Sequence, residues 1–137
     1  MNKETFDSEI SEVTTAFLTA FDNLDWAQFN DFIADEATVF MPWPTFPNQL
    51  NGKSEIQNAF RSLFEEIPKT QEERPYLNLR PLDLTIQQIG SAGLVTFHLS
   101  EPDHFGRRTL IFEKRNDSWK LVHLHASNFY EQHKRKI

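Results

Sequence analysis

Residues 82–129 read LDLTIQQIGSAGLVTFHLSEPDHFGRRTLIFEKRNDSWKLVHLHASNF, and their reading decides the fold. Four strand-like runs stand out: LDLTIQQI, GLVTFHLSE, GRRTLIFEKR and SWKLVHLHASNF. They are rich in β-branched and aromatic residues and alternate in polarity, as half-buried strands do. GSAG, PDHFG and ND separate them, each short enough for an antiparallel hairpin. A four-strand meander is therefore predicted over 82–129.

Upstream of it the period is helical. Phe6, Ile10, Val13, Phe17, Ala20, Phe21 and Leu24 recur at steps of three and four, one apolar stripe of a long helix. Asp25 with Gln28 predicts an N-cap and a short second helix carrying Trp26, Phe29, Phe32 and Ile33. ATVFMP (37–42) reads as a strand, after which Pro42, Pro44 and Pro47 exclude both helix and central strand. Ser54 with Gln57 predicts the start of a third helix bearing Ile56, Phe60, Leu63, Phe64 and Ile67, closed by Pro68. Residues 69–81 form a polar connector.

Helices segregated from an antiparallel sheet make an α+β domain. A single domain over 1–137 is expected: 1–67 mainly helical with the first strand, 82–129 the meander, 130–137 a charged tail. A strongly curved, mainly antiparallel sheet wrapped around the long N-terminal helix closes into a cone with a cavity at its open end.

Composition narrows the function. The 137 residues include 13 phenylalanines and 3 tryptophans but 2 tyrosines, rings suited to filling a core or lining an apolar cavity. The formal net charge is −6 and the only basic cluster is HKRK (133–136), so no nucleic-acid partner is expected. With no cysteine, disulfides, thiolate metal sites and cysteine nucleophiles are excluded. The start MNKETFDSEISEV lacks the apolar run of a signal peptide, and no stretch approaches a membrane span of about 18 apolar residues. A cytoplasmic protein with no membrane partner is expected.

His123 and His125 share one face of the last strand. Two histidines do not make a metal site without further ligands, and no metal or cofactor signature accompanies them. Alternation turns Val122, Leu124 and Ala126 toward the core and Trp119, Leu121, His123 and His125 outward. Asp103 and His104 are adjacent in EPDHFG, where a hairpin turn would leave both exposed. FMPWPTFPN is either a stiff edge capping the core or a rigid aromatic lip, Trp43 and Phe46, over a cavity.

FIADEATVFMPWP (32–44) followed by NGKSEIQNAF (51–60), and EKRNDSWKLVHLHAS (113–127), resemble the nuclear-transport-factor-2-like superfamily, within it the SnoaL-like and ketosteroid-isomerase-like proteins. The last hairpin is most similar to the association domain of calcium/calmodulin-dependent kinase. The resemblance implies a cystatin-like roll that dimerises through the outer sheet face, with Trp119, Leu121, His123 and His125 in the interface. It puts the isomerase tyrosine, base and second aspartate on Phe17, Met41 and Leu110, none of which moves a proton, so ketosteroid isomerase activity is not expected. The kinase-domain pocket arginines fall on His98, Leu110 and Ala126.

The implied pocket is lined by Phe17, Met41, Trp43, Phe64, His98, Leu110, Phe112, Ala126 and Asn128. For His98 two arguments conflict: the resemblance turns it into the cavity, while alternation buries Val95, Phe97 and Leu99 instead. The expected function is binding of a small, mostly apolar or aromatic molecule by a homodimer without cofactor, with any acid–base chemistry at His98 assisted by Asn128. The alternative is a non-catalytic oligomerisation or accessory module whose cavity is incidental.

Overall fold

The computed structural model describes residues 2–67, 74 and 77–130. α1 (Lys3–Asp22) and α2 (Trp26–Phe32) lead into β1 (Ile33–Phe40) and a two-residue β2 (Leu50–Asn51). α3 (Lys53–Glu66) follows, then β3 (Leu82–Ile89), β4 (Ala92–Glu101), β5 (His104–Arg115) and β6 (Ser118–Tyr130). The six strands form one curled sheet in the order β2-β1-β6-β5-β4-β3, antiparallel except where β1 runs parallel to β6.

Both predicted N-terminal helices form, and the reasons are local. The Asn2 side chain accepts the Thr5 N–H at the start of α1, and Asp25 accepts the Gln28 N–H at the start of α2. The α1 stripe is buried at Phe6, Ile10, Val13, Phe17 and Ala20. Ile33 leaves α2 and opens β1.

α3 begins differently from the expectation. Its N-cap is Gly52, at φ +87°, which no capping side chain serves. Ser54 lies inside the helix, Glu55 accepts the Asn51 N–H at 2.7 Å, and the Gln57 amide reaches across to Asn30 at 2.7 Å. Pro68 and most of the connector lie outside the described residues, as does the expected tail beyond Tyr130.

The three hairpins turn on two residues each: Gly90–Ser91, Pro102–Asp103 and Asn116–Asp117. Asn116 (φ 49°) and Asp117 (φ 63°) are both left-handed, the twist-matched turn that Asn and Asp tolerate.

A bulge corrects the expected faces of β6. Ile111 pairs with His123 but Phe112 pairs with Leu121, so Val122 is the extra residue. Strict alternation ends there. Leu121 turns inward and is 1% exposed, beside Leu124 and Ala126 in the core. Trp119 also faces α1: its ring meets Phe6 edge-on at 5.8 Å, and its Nε1–H donates to Glu9 at 3.1 Å. Of the four residues expected on the outer face, only His123 and His125 are there.

Candidate functional site

The curl of the sheet leaves space between its inner face, α1, α3 and the chain entering β3. This space is a cavity of about 350 Å³, within the size range of small-molecule sites. α1 contributes Phe17, Leu18 and Phe21, and α3 contributes Phe60 and Leu63. Met41, Pro42 and Trp43 close one side where the prolines have ended β1. β4, β5 and β6 supply Phe97, Leu99, Leu110, Leu124 and Ala126, whose side chains share the inner face.

Leu77 and Leu79, from the nominally polar connector, complete the apolar wall. A partly buried anchor holds Leu79: both Asp22 carboxylate oxygens accept its N–H, at 2.9 and 3.0 Å. Burial pushes the Asp22 carboxyl up, while the Leu79 and Asn78 amides oppose that rise.

One end of the cavity is polar, built by Glu101 of β4, His104 and Arg108 of β5, and Asn128 of β6. Arg108 reaches it because Gly106 has no side chain; a Cβ there would sit 3.1 Å from Arg108 Nη1 and 3.2 Å from Leu99 Cβ. Arg108 Nη1 donates to the carbonyl of Ser127 at 3.0 Å, the carbonyl of Arg107 at 3.1 Å and Asn128 Oδ1 at 3.3 Å. Its Nη2 and Nε have no acceptor among the described residues. Burial lowers the guanidinium pKa and nearby Glu101 opposes the shift, but an arginine remains a cation.

His104 is not the exposed turn residue that the sequence suggests. The turn ends at Asp103, and His104 opens β5 with its side chain 20% exposed. Its Nδ1 lies 2.7 Å from Asp103 Oδ1, and its ring tilts onto Tyr130 with centroids 4.8 Å apart.

Of the expected pocket residues, Phe17, Met41, Trp43, Leu110, Ala126 and Asn128 line this cavity. Phe64 and Phe112 do not. Phe112 is fully buried edge-on to Phe17, and Phe64 is packed among Phe21, Trp26 and Phe29. His98 is on the opposite face of the sheet, 47% exposed and 3.2 Å from Asp83. It lines an outer groove with Thr96, Arg107, His125 and Ser127. Alternation was the better guide there: Val95, Phe97 and Leu99 are the buried set. Phe46 packs against the core, leaving Trp43 as the ring at the cavity.

Sequence reasoning missed Arg108, His104, Leu77 and Leu79. For Arg108 a signal existed, since it shares parity with Leu110 and Phe112 in GRRTLIF. Among the described residues, no group of three or more His, Asp or Glu could hold a metal ion. No helix among them is long and apolar enough to cross a membrane.

The geometry has relatives. An NTF2-like protein of unknown function from Pseudomonas putida KT2440 superposes with a TM-score of 0.75 at 17% identity, over 98% of this chain and 94% of that one. A Caulobacter vibrioides protein with a cystatin-like fold gives 0.68 at 14% identity, over 90% and 89%. The association domain of C. elegans CaMKII gives 0.66 at 16% identity, over 91% and 97%. At these identities the likeness is one of fold. No curated protein matches the chain. In sequence, residues 10–131 match the SnoaL-like domain. This span runs from the middle of α1 through the end of β6 and contains most of the cavity wall, so the chain belongs to the SnoaL-like domain family.

Proposed function

We propose that this chain, acting as one domain, binds a small, mostly apolar or aromatic molecule that carries an oxygen at one end. The carrying observation is the contrast inside one cavity of about 350 Å³: aromatic and aliphatic walls, and a half-buried Arg108 with unspent donors at the polar end. Rings and leucines favour the apolar body, and a desolvated guanidinium favours an oxygen acceptor over bare hydrocarbon. The reading includes a homodimer in the cytoplasm, paired through the outer sheet face, where Phe40 and Phe105 are 37% and 50% exposed.

Native mass spectrometry of the protein as purified tests it. A dimer carrying extra mass that leaves on denaturation is the expected result, and the released compound would identify the ligand class. A bare protein that also fails to bind 2-naphthoate in calorimetry would sink the binding reading.

A second reading is an accessory or oligomerisation module with an incidental cavity. It draws on the likeness to a domain named for association and on the apolar residues at the isomerase positions Phe17, Met41 and Leu110. Filling the cavity by Ala126→Phe separates the two. If the cavity is the functional site, the wild type binds 2-naphthoate and Ala126→Phe abolishes that binding with assembly intact, whereas assembly of wild type and variant alike without 2-naphthoate binding favours the module.

A further inference from the structure

Three of the four histidines in the described strands, His98, His123 and His125, lie on the outer sheet face, while His104 lines the cavity. The exposed phenylalanines of that face stand against them. The Phe40 ring is 5.1 Å from the His125 ring and 6.1 Å from the His123 ring, and Phe105 meets His98 edge-on at 6.3 Å. A surface that covers these phenylalanines must also take the three imidazoles out of water.

From this interleaving we infer that the outer sheet face is a proton-controlled contact between two copies of the chain, which pair when these imidazoles are neutral and separate when they are charged. The inference rests on the homodimer reading and adds its regulation. Neutral imidazoles bury among rings at small cost, whereas a charged one needs a partner. The neighbouring strands supply few. His123 has Thr38 of β1 and Ile111 of β5 beside it, and His125 has Phe40 and Thr109. His98 has Asp83 of β3 at 3.2 Å and Arg107 of β5 in register, with Thr96 and Ser100 to either side on β4.

Arg107 lines the same outer groove as His98 and His125, a space of about 360 Å³, and its guanidinium lies over the Phe129 ring at 5.8 Å. The next carboxylates along β5 and β1, Glu113 and Glu36, are both held by Arg115. Full protonation therefore adds three positive charges per copy beside Arg107, with Asp83 as the carboxylate among them. In the single chain, burial and neighbouring His125 already disfavour the charged form of His123. Covering the face deepens that desolvation, so the pair binds fewer protons than two free copies. Pairing is then strongest above the ordinary imidazole value of about 6.5 and weakens as pH falls below it.

Sedimentation velocity over a concentration series gives the dimer dissociation constant at about pH 7.5 and about pH 5.5, with circular dichroism as the check on folding. An imidazole that charges only on the free copy weakens pairing about tenfold one unit below 6.5, and a two-fold pair carries it twice. The wild-type dissociation constant should therefore rise about 100-fold or more at the lower pH. The combination His98→Gln, His123→Gln and His125→Gln should pair alike at both. His125→Arg, which fixes a charge on the face, should weaken the dimer at the higher pH. Equal constants for the wild type at both pH values overturn the inference, as does a triple variant that keeps the wild-type rise. Should the triple variant fail to fold or pair, or the wild type unfold at the lower pH, the exposed His125 decides. A His125→Arg dimer as tight as the wild type at the higher pH then overturns the inference. A wild type that is monomeric at the higher pH instead overturns the homodimer reading on which the inference stands.

Discussion

Thr38 Oγ1 and His123 Nδ1 lie 2.7 Å apart, joining β1 to β6 across the one parallel pairing among the described strands. Burial holds the His123 pKa below that of a free imidazole, and neighbouring His125 adds to the shift while Thr38 opposes it. The unfolded chain therefore binds this proton more readily than the folded one. The His123 contribution to stability is fully present above the unfolded value of about 6.5 and is lost as pH falls through the lower folded value. Urea midpoints should drop between about pH 7 and about pH 5, and His123→Gln should flatten part of that slope. An identical slope in the variant would exclude His123 as its source.

Thr14 is 2% exposed on the buried face of α1, and its Oγ1 has no partner among the described residues. Valine has the same shape without the hydroxyl, and the two have similar helix propensity. Thr14→Val should stabilise the chain by about 1 kcal/mol, the lower end of the cost of an unsatisfied buried hydroxyl. Thermal unfolding checks this; a lower midpoint would mean that the hydroxyl has a partner in solution.

Gly93 pairs with Phe112 on the inner sheet face, beneath α1. A Cβ there would meet Ile10 Cδ1 at 2.6 Å and Phe6 Cζ at 3.3 Å, and Ile10 is fully buried with no room to swing. Gly93→Ala should cost about 1–3 kcal/mol by overpacking. Adding Ile10→Val, which removes the clashing methyl, should recover part of the loss in a double-mutant cycle.

In the proposed binding mode Arg108 takes the ligand's oxygen. Arg108→Met should weaken binding of 2-naphthoate by about 10-fold or more, the worth of a charge-assisted hydrogen bond. Binding of uncharged 2-methylnaphthalene should hold or improve, because the cavity loses a desolvated cation. Calorimetry on both ligands checks the split, and equal losses for the two would place Arg108 in a purely structural role.

Phe40 is partly exposed on the outer face, with His125 and His123 rings at 5.1 and 6.1 Å. Phe40→Glu should convert the proposed homodimer to monomer in analytical ultracentrifugation without loss of the far-ultraviolet circular dichroism. A dimer that survives this change together with Phe105→Glu would place any interface elsewhere.

The sequence by itself determined the order of elements. The 3.6-residue stripe from Phe6 to Phe21, the cap at Asp25 and the two-residue turn at Asn116–Asp117 are local, so neighbouring residues suffice to specify them. It also specified the face of β4, where strict alternation buries Val95, Phe97 and Leu99 and turns His98 away from the cavity. The tertiary structure alone decided the bulge in β6 and which polar side chains meet at the end of the cavity. The bulge at Val122 arises from pairing with β5, and it moves Trp119 and Leu121 from the expected outer face onto α1 and the core. Arg108, His104 and Asn128 come from two strands and meet only when the sheet curls around α1. Leu77 and Leu79 join them through one long-range contact, Asp22 at the end of α1 receiving the Leu79 amide. Local propensity carries no record of such contacts, because their energy exists only after distant segments have packed.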